Sequence, residues 1–319
     1  MNNRRQFMKR AGGAAAAVGV VGAASWFFYD NTADVDAEHN QVNVPDFSVP
    51  HVEGKVISVA RGSDRTDLVN KAIEALGGIE RFVSKGDVVM IKPNIAFASP
   101  AMLGATTNPV LIAEVVKLCY KAGAREVLVG DNPINDPQSC LLLSGIEKAA
   151  TEAGARIILP QERYFSHTTL EGGSLIKNWP LFYEPLKRAN KLIGITPVKH
   201  HHRSGASMSM KNWYGLLGGR RNIFHQNINA IIKELAMMVR PTLVILDGVT
   251  SMISNGPTGG STADLKATNT LIASCDQVAA DTIGASLIGT GTDKLTYLKM
   301  AEEAGVGTTD YESLSPIYV

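Results

Sequence analysis

The sequence predicts an α/β fold, a mainly parallel sheet with helices on both faces, and three observations carry that expectation. Short apolar runs of strand length alternate with segments whose apolar residues recur every three to four positions. The helical segments run to ten or more residues, the length that a crossover between parallel strands needs. Gly, Pro, Asn and Asp cluster between the two kinds of segment. No solenoid-type repeat interrupts the alternation. The roughly 265 residues from Lys55 onward suit one such domain.

Taken in order, "KVISVA" from Lys55 is a short apolar strand. A helix follows from about Asp64, a suitable N-cap, to Leu76, where Gly77-Gly78 stops it. "DVVMIKPN" reads as a buried strand ending in Lys92-Pro93-Asn94. "NPVLIAEVVKLCYKAG" has helical periodicity, with Pro109 in its first turn and Gly123 near its end. "REVLVGDNP" is a strand, "SCLLLSGIEKAATEAG" a helix and "ARIILP" a strand. In the second half "NKLIGITPVK" is a strand running into the histidines, and "NINAIIKELAMMV" is a helix. "TLVILDGV" and "NTLIASCD" are strands, and "QVAADTIGASLIG" is a small-residue helix stopped at Gly289.

Ahead of this body lie two other segments. Residues 1–30 carry Arg4, Arg5 and Lys9 before an apolar, Ala- and Gly-rich run from Ala11 to Phe28. Arg-Arg-x-Phe-Met-Lys resembles the twin-arginine export signal, with an ordinary secretory signal or an uncleaved N-terminal anchor as the alternatives. The twin-arginine translocase is then a partner, and the product is periplasmic or tethered to the outer face of the inner membrane. Residues 31–54, polar with scattered Pro, read as a linker, and 55–319 as the α/β domain. Setting the first thirty residues aside leaves 27 Lys+Arg against 29 Asp+Glu, a net charge of −2, so no basic excess points to nucleic acid. Cys119, Cys140 and Cys275 are too few and too scattered for a four-thiolate zinc or iron–sulfur site within one chain.

Four strands end in polar residues, and in a parallel sheet the crevice at the strands' carboxyl ends is where ligands bind. They deliver Lys92 and Asn94, Asp131 and Asn132, Asp247, and Lys199 with His200, His201 and His202. Each has a plain reading as a turn or capping residue, but their coincidence at one edge indicates a pocket. If the histidine run stays extended, His200 and His202 share one side, and two imidazoles two apart can hold a first-row transition metal. His225 or Asp247 would supply a third ligand, while His201 would face solvent. Thr107 and Asn108 at a helix start, and Gly256 and Gly259 in the loop "SNGPTGGS", are candidate anion contacts alongside Lys92, Asn94, Asp131 and Asn212. Lys211 is a candidate anion partner, base or nucleophile, and His225 a second catalytic candidate. A Gly-x-Gly-x-x-Gly turn, a Ser-centred nucleophile elbow and a His-Glu-x-x-His motif are all missing, so dinucleotide-binding and common hydrolase classes find no support.

"IKPN", "TTNP", "KHHH" leading into "SMSMKNWYGLL", "RRNIFH", "RPTLVILDGVTSM", "NGPTGG" and "IASCDQVAADTIGASLIG" together resemble domain of unknown function 362 over roughly residues 55–290. Many members of that family carry a ferredoxin-like cysteine cluster after the domain, which this sequence lacks. Lys211 followed by His225 is also similar in order and spacing to the cofactor-holding lysine and nickel-ligating histidine of the nickel-pincer lactate racemase. The functional expectation is an exported metal- or cofactor-dependent enzyme acting on a small anionic molecule. The alternative is a non-catalytic periplasmic ligand-binding or cofactor-assembly protein.

Overall fold

The computed structural model describes residues 41–319, so the expected export signal and the first part of the expected linker lie outside the described residues. Eleven strands are present among them: β1 (Ile57–Arg61), β2 (Val88–Pro93), β3 (Glu126–Val129), β4 (Arg156–Ile157), β5 (Phe165–Thr168), β6 (Trp179–Phe182), β7 (Lys191–His201), β8 (Gly205–Ser207), β9 (Leu243–Met252), β10 (Leu265–Ser274) and β11 (Ile317–Tyr318). The helices are α1 (Arg65–Ala75), α2 (Pro109–Lys121), α3 (Pro137–Ser144), α4 (Ile146–Glu152), α5 (Glu184–Arg188), α6 (Ser209–Asn212), α7 (Ile228–Met238), α8 (Gln277–Leu287) and α9 (Thr296–Glu303).

The main sheet runs β11-β1-β10-β9-β7-β2-β3-β4, with β8 folded back on β7. From β9 to β4 every neighbouring pair is parallel, while β10 lies antiparallel between β9 and β1. Alternation along the strands divides the apolar side chains between the two faces. Val89, Ile91, Ile193, Ile195 and Ile245 pack under α1, α2 and α4, whereas Met90, Leu192, Val244 and Leu246 pack under α7, α8 and α9. Both faces are therefore covered, as parallel strands require.

Helix ends follow the capping chemistry of the sequence. The Asp64 carboxylate accepts from the Asp67 amide, and the Asn108 side chain accepts from the Val110 amide, with Pro109 as the first helical residue. Two expectations are corrected. The helix expected over 139–154 is broken into α3 and α4, because Gly145 adopts φ +75°, a left-handed conformation that ends one helix and begins the next. The later part of the expected linker is laid onto the body. Phe47 is buried, its amide donates to the Arg240 carbonyl, and its own carbonyl accepts from the Thr242 hydroxyl at 2.7 Å. A β5–β6 hairpin, outside the strand–helix rhythm, lies beside the main sheet.

Candidate functional site

At the carboxyl ends of the parallel strands lies a cavity of about 640 Å³. Its floor is a network of fully engaged polar groups. Lys92, on β2, is buried and its Nζ lies 2.7 Å from Asp131 Oδ1; it also donates to Asn212 Oδ1 at 3.0 Å and to the Pro93 carbonyl at 2.8 Å. Those three partners use all three ammonium protons. Asn212 Nδ2 returns a bond to the Lys92 carbonyl at 3.1 Å, and Asp131 Oδ2 accepts from the Ile95 amide at 2.8 Å. Gly215 makes room for the pair, since a Cβ there would stand 2.0 Å from Asp131 Oδ1 and 2.7 Å from Lys92 Nζ. Burial lowers the Lys92 pKa, and the Asp131 charge opposes that shift.

Lys199, on β7, donates to Asn94 Oδ1 at 3.2 Å and to the Ala105 carbonyl at 2.5 Å. Among the described residues it has no carboxylate within ion-pair distance, and burial together with the neighbouring Lys211 charge lowers its pKa to about 7. Lys211 sits in α6, whose first turn is anchored by Asp281. That carboxylate accepts from the Ser209 amide and hydroxyl and from the Met210 amide, and burial pushes it up to about 7. The Lys211 ammonium stands 5.1 Å from the Tyr214 ring centroid, with no hydrogen-bond or ion-pair partner among the described residues. Burial, then the Arg221 charge, lowers it to about 8.

Arg221 completes this wall. Its guanidinium donates to four backbone carbonyls, those of Tyr214 (3.1 Å), Leu217 (2.9 Å), Asn132 (2.6 Å) and Pro133 (3.1 Å). Carbonyls satisfy its protons without neutralising its charge. Among the lining residues Lys92, Lys199, Arg203, Lys211 and Arg221 are the lysines and arginines, and Asp131 is the one carboxylate.

The histidines are arranged differently from the expectation. His201, expected at the surface, is buried and lines the cavity on the same face of β7 as Lys199. Its Nδ1 accepts from the Arg203 and Ser204 amides, each at 3.2 Å, so the ring proton sits on Nε2. Burial, reinforced by the Lys211 charge, lowers its pKa to about 2. The ring is stacked between His202 and His225, with centroids 5.0 and 6.0 Å away. His225 Nδ1 lies 3.2 Å from the Asn222 carbonyl and 3.1 Å from the Tyr214 hydroxyl. His200 turns out of the cavity, and its Nδ1 accepts from the Gly256 amide at 3.2 Å. A Cβ on Gly256 would stand 1.8 Å from the His200 carbonyl oxygen, so this contact needs glycine.

The metal site expected at His200, His202 and Asp247 is not assembled. Asp247 Oδ2 forms an ion pair with Arg65 Nε at 2.8 Å, away from the cavity lining. Among the described residues no group of three or more His, Cys, Asp or Glu is arranged to hold a metal ion. Nor does His201 suit one through Nε2, because ligation there leaves the proton on Nδ1, where two amides already donate. The "SNGPTGGS" loop lines the cavity through Asn255, Gly256, Pro257 and Thr258, but the Gly256 amide is taken by His200 and the Gly259 amide by the Asn255 carbonyl. Gly259 lies off the lining, as do Thr107, whose hydroxyl donates to the Ile195 carbonyl, and Asn108, which caps α2. Lys92, Asn94, Asp131, Lys211, Asn212, His202, His225 and Gly256 do converge. Arg203, Tyr214 and Arg221 were not foreseen, although "KNWYG" and "RRNIFH" contain two of them.

The description "Domain of unknown function (DUF362)" matches residues 89–286. The chain belongs to the DUF362 family. The matched DUF362 span runs from β2 into α8 and contains every residue of the cavity lining. A curated relative of this DUF362 chain is the thylakoid-associated protein sll1697 of Synechocystis sp., 24% identical over 258 residues, which are 77% of this chain and 76% of the relative. A crystal structure of a Thermotoga maritima protein overlaps with a TM-score of 0.30 at 11% identity, covering 57% of this chain and 49% of that one. That overlap is too slight to bear on the fold or the function.

Proposed function

We propose that this DUF362 protein binds a small, multiply anionic molecule in the cavity, with Lys211 as the primary contact, and acts on it as an enzyme. One observation carries the reading: an ammonium without a partner among the described residues stands in a lining of five basic side chains and one carboxylate, and that carboxylate is already paired with Lys92. Grouping like charges in a partly buried space costs free energy unless an anion offsets it. A lysine whose pKa is about 8 also exists partly as the free amine near neutrality, the form able to accept a proton or attack a carbonyl. His225, beside Tyr214, is the second group in reach of a bound molecule.

Calorimetric titration of the protein with inorganic phosphate, pyrophosphate and citrate at low ionic strength tests the binding. We expect at least one to bind, and Lys211→Ala to weaken it roughly tenfold, the loss typical of a charge-assisted contact. Equal affinities in the two proteins would remove Lys211 from the site. The engagement of Asp131 by Lys92 favours a second reading, binding without turnover, because it leaves no free carboxylate in the cavity to act as a base. Incubation of the bound anion with protein, followed by NMR of the small molecule, separates the two.

We further propose that the work is done beyond a membrane, reached by the twin-arginine route, with the body free or tethered. The Arg4-Arg5 pair ahead of a weakly apolar run supports this, and the thylakoid association named for the relative is compatible with it. Among the described residues no helix is long and apolar enough to cross a membrane. Cell fractionation of an Arg4→Lys, Arg5→Lys double variant should find the protein retained in the cytoplasm; unchanged export overturns the route.

A further inference from the structure

A second hollow of about 560 Å³ adjoins the cationic cavity, and Asn132, Ile134, Tyr214, Arg221, Asn222 and His225 line both. The chemistry changes across that shared wall. Beyond it Phe165, Pro180 and the Gly218–Gly219 backbone form the lining, and no further Lys or Arg is added. Glu162 is the single carboxylate there. The first hollow thus favours negative charge, and the second, with Arg221 against Glu162, favours no net charge.

The second hollow is also built flat. Phe165 stacks on Phe182 with centroids 5.4 Å apart. A Cβ on Gly218 would stand 2.7 Å from the Phe165 ring, and one on Gly219 3.2 Å from Pro180, so bare peptide planes lie against these rings. The Gly218 peptide is fixed in place: its amide donates to the Pro180 carbonyl at 2.7 Å, and its carbonyl accepts from Trp179 Nε1 at 3.1 Å. Gly219 takes φ +58°, which favours glycine at that position independently of the contact. With those faces packed on one another, the parts of Phe165, Pro180 and the Gly218–Gly219 backbone that reach the hollow give it a wall free of projecting side chains, against which a planar ring gains more contact than a flexible chain does.

We infer that the ligand is bipartite: a multiply anionic head held by Lys199, Lys211 and Arg221, joined to an uncharged planar ring system that lies on Phe165, Pro180 and Gly218–Gly219. This rests on the anion-binding reading of the first cavity. Tyr214, Arg221 and His225 stand at the junction, so they would contact the link between head and ring. Phosphate esters of aromatic alcohols have this chemistry, and so do ring-bearing polycarboxylates.

The test uses the full chain and three probes measured by calorimetry: 1-naphthyl phosphate, inorganic phosphate as the head alone, and 1-naphthol as the ring alone. Wild-type protein should bind 1-naphthyl phosphate roughly tenfold more tightly than phosphate, from the added apolar burial. Phe165→Ala should cut that advantage below about threefold while leaving phosphate affinity unchanged. Pro180→Ala, a smaller change on the neighbouring strand of the same hairpin, should reduce it in the same direction and guards against loss of folding in the first variant. If phosphate binds in a Lys211-dependent way and the naphthyl group adds nothing, the bipartite ligand is wrong and the anion site stands. An advantage that persists in both variants also overturns the inference, because the ring then rests elsewhere. If neither phosphate compound binds, the bipartite reading falls, and the anion reading falls with it when pyrophosphate and citrate fail as well; if 1-naphthol binds as tightly as its phosphate, the charged head is wrong.

Discussion

Two lysines less than a cavity's width apart show how differently one residue type can be used. Lys92 has a carboxylate, a side-chain amide and a backbone carbonyl around its ammonium, and Gly215 leaves room for the pair. Lys211 has an aromatic ring and other cations. Burying a charge requires that every proton find an acceptor. Lys92 meets that condition within the protein, and Lys211 does not. The first belongs to the architecture of the cavity floor, and the second is poised for something the protein itself does not supply.

The largest effect should come from the satisfied lysine. Asp131→Ala leaves Lys92 buried without its counter-charge and should cost about 3–5 kcal/mol of stability, measured by urea unfolding. A loss below about 1 kcal/mol would mean that the floor is not held by this pair. Lys211→Met, which keeps the alkyl packing and removes the charge, should do the reverse: weaken anion binding roughly tenfold without destabilising the fold.

The pH dependence of that second variant sharpens the contrast. The folded-state pKa of Lys211 is lowered from 10.5 to about 8. Lys211 is half-buried; below pH 8 both folded and unfolded chains hold the proton, and the folded state bears the cost of partly withdrawing the charge from water. Between pH 8 and 10.5 the unfolded chain holds a proton that the folded chain has released, so wild-type stability rises with pH relative to the variant. Lys211→Met should therefore unfold at higher temperature than wild type at pH 7, with the gap closing by pH 10.5. A gap that is constant across that range would place the lysine in water. The smallest effect belongs to the histidine outside the cavity: His200→Ala removes one acceptor from the Gly256 amide and should cost about 1 kcal/mol, with anion affinity unchanged by calorimetry.

Much of this was legible in the sequence, wherever the governing rule was local. Asp64, Asn108 and Pro109 announced their helix starts, because a cap is decided by neighbours two or three residues away. The convergence of Lys92, Asn94 and Asp131 followed from strands that run the same way and so end at one edge. What depended on distant partners was hidden. Asp247 was available as a ligand until Arg65, 182 residues earlier, was found beside it. The expected alternation of the histidines fails twice: the face holding Lys199 also holds His201, and because β7 ends at His201, His202 leaves the alternation and joins it at the cavity, while nothing local says which side of β7 is inward. Gly145 breaks a segment whose apolar pattern reads as one continuous helix, since a φ of +75° leaves no trace in periodicity. Arg221 was passed over because its partners are backbone carbonyls, which every residue has.

Those carbonyls give Arg221 a further property. Four bonds tie its guanidinium to the Asn132–Pro133 turn and to the Tyr214–Leu217 turn, so the charge cannot swing to meet an incoming molecule as the end of a free side chain would. A cation fixed in this way works as a gauge. Its separation from the Lys211 ammonium, 5.1 Å from the Tyr214 ring, sets the spacing between negative groups that the cavity accepts, and a molecule whose charges are set closer together or farther apart meets one cation at the expense of the other.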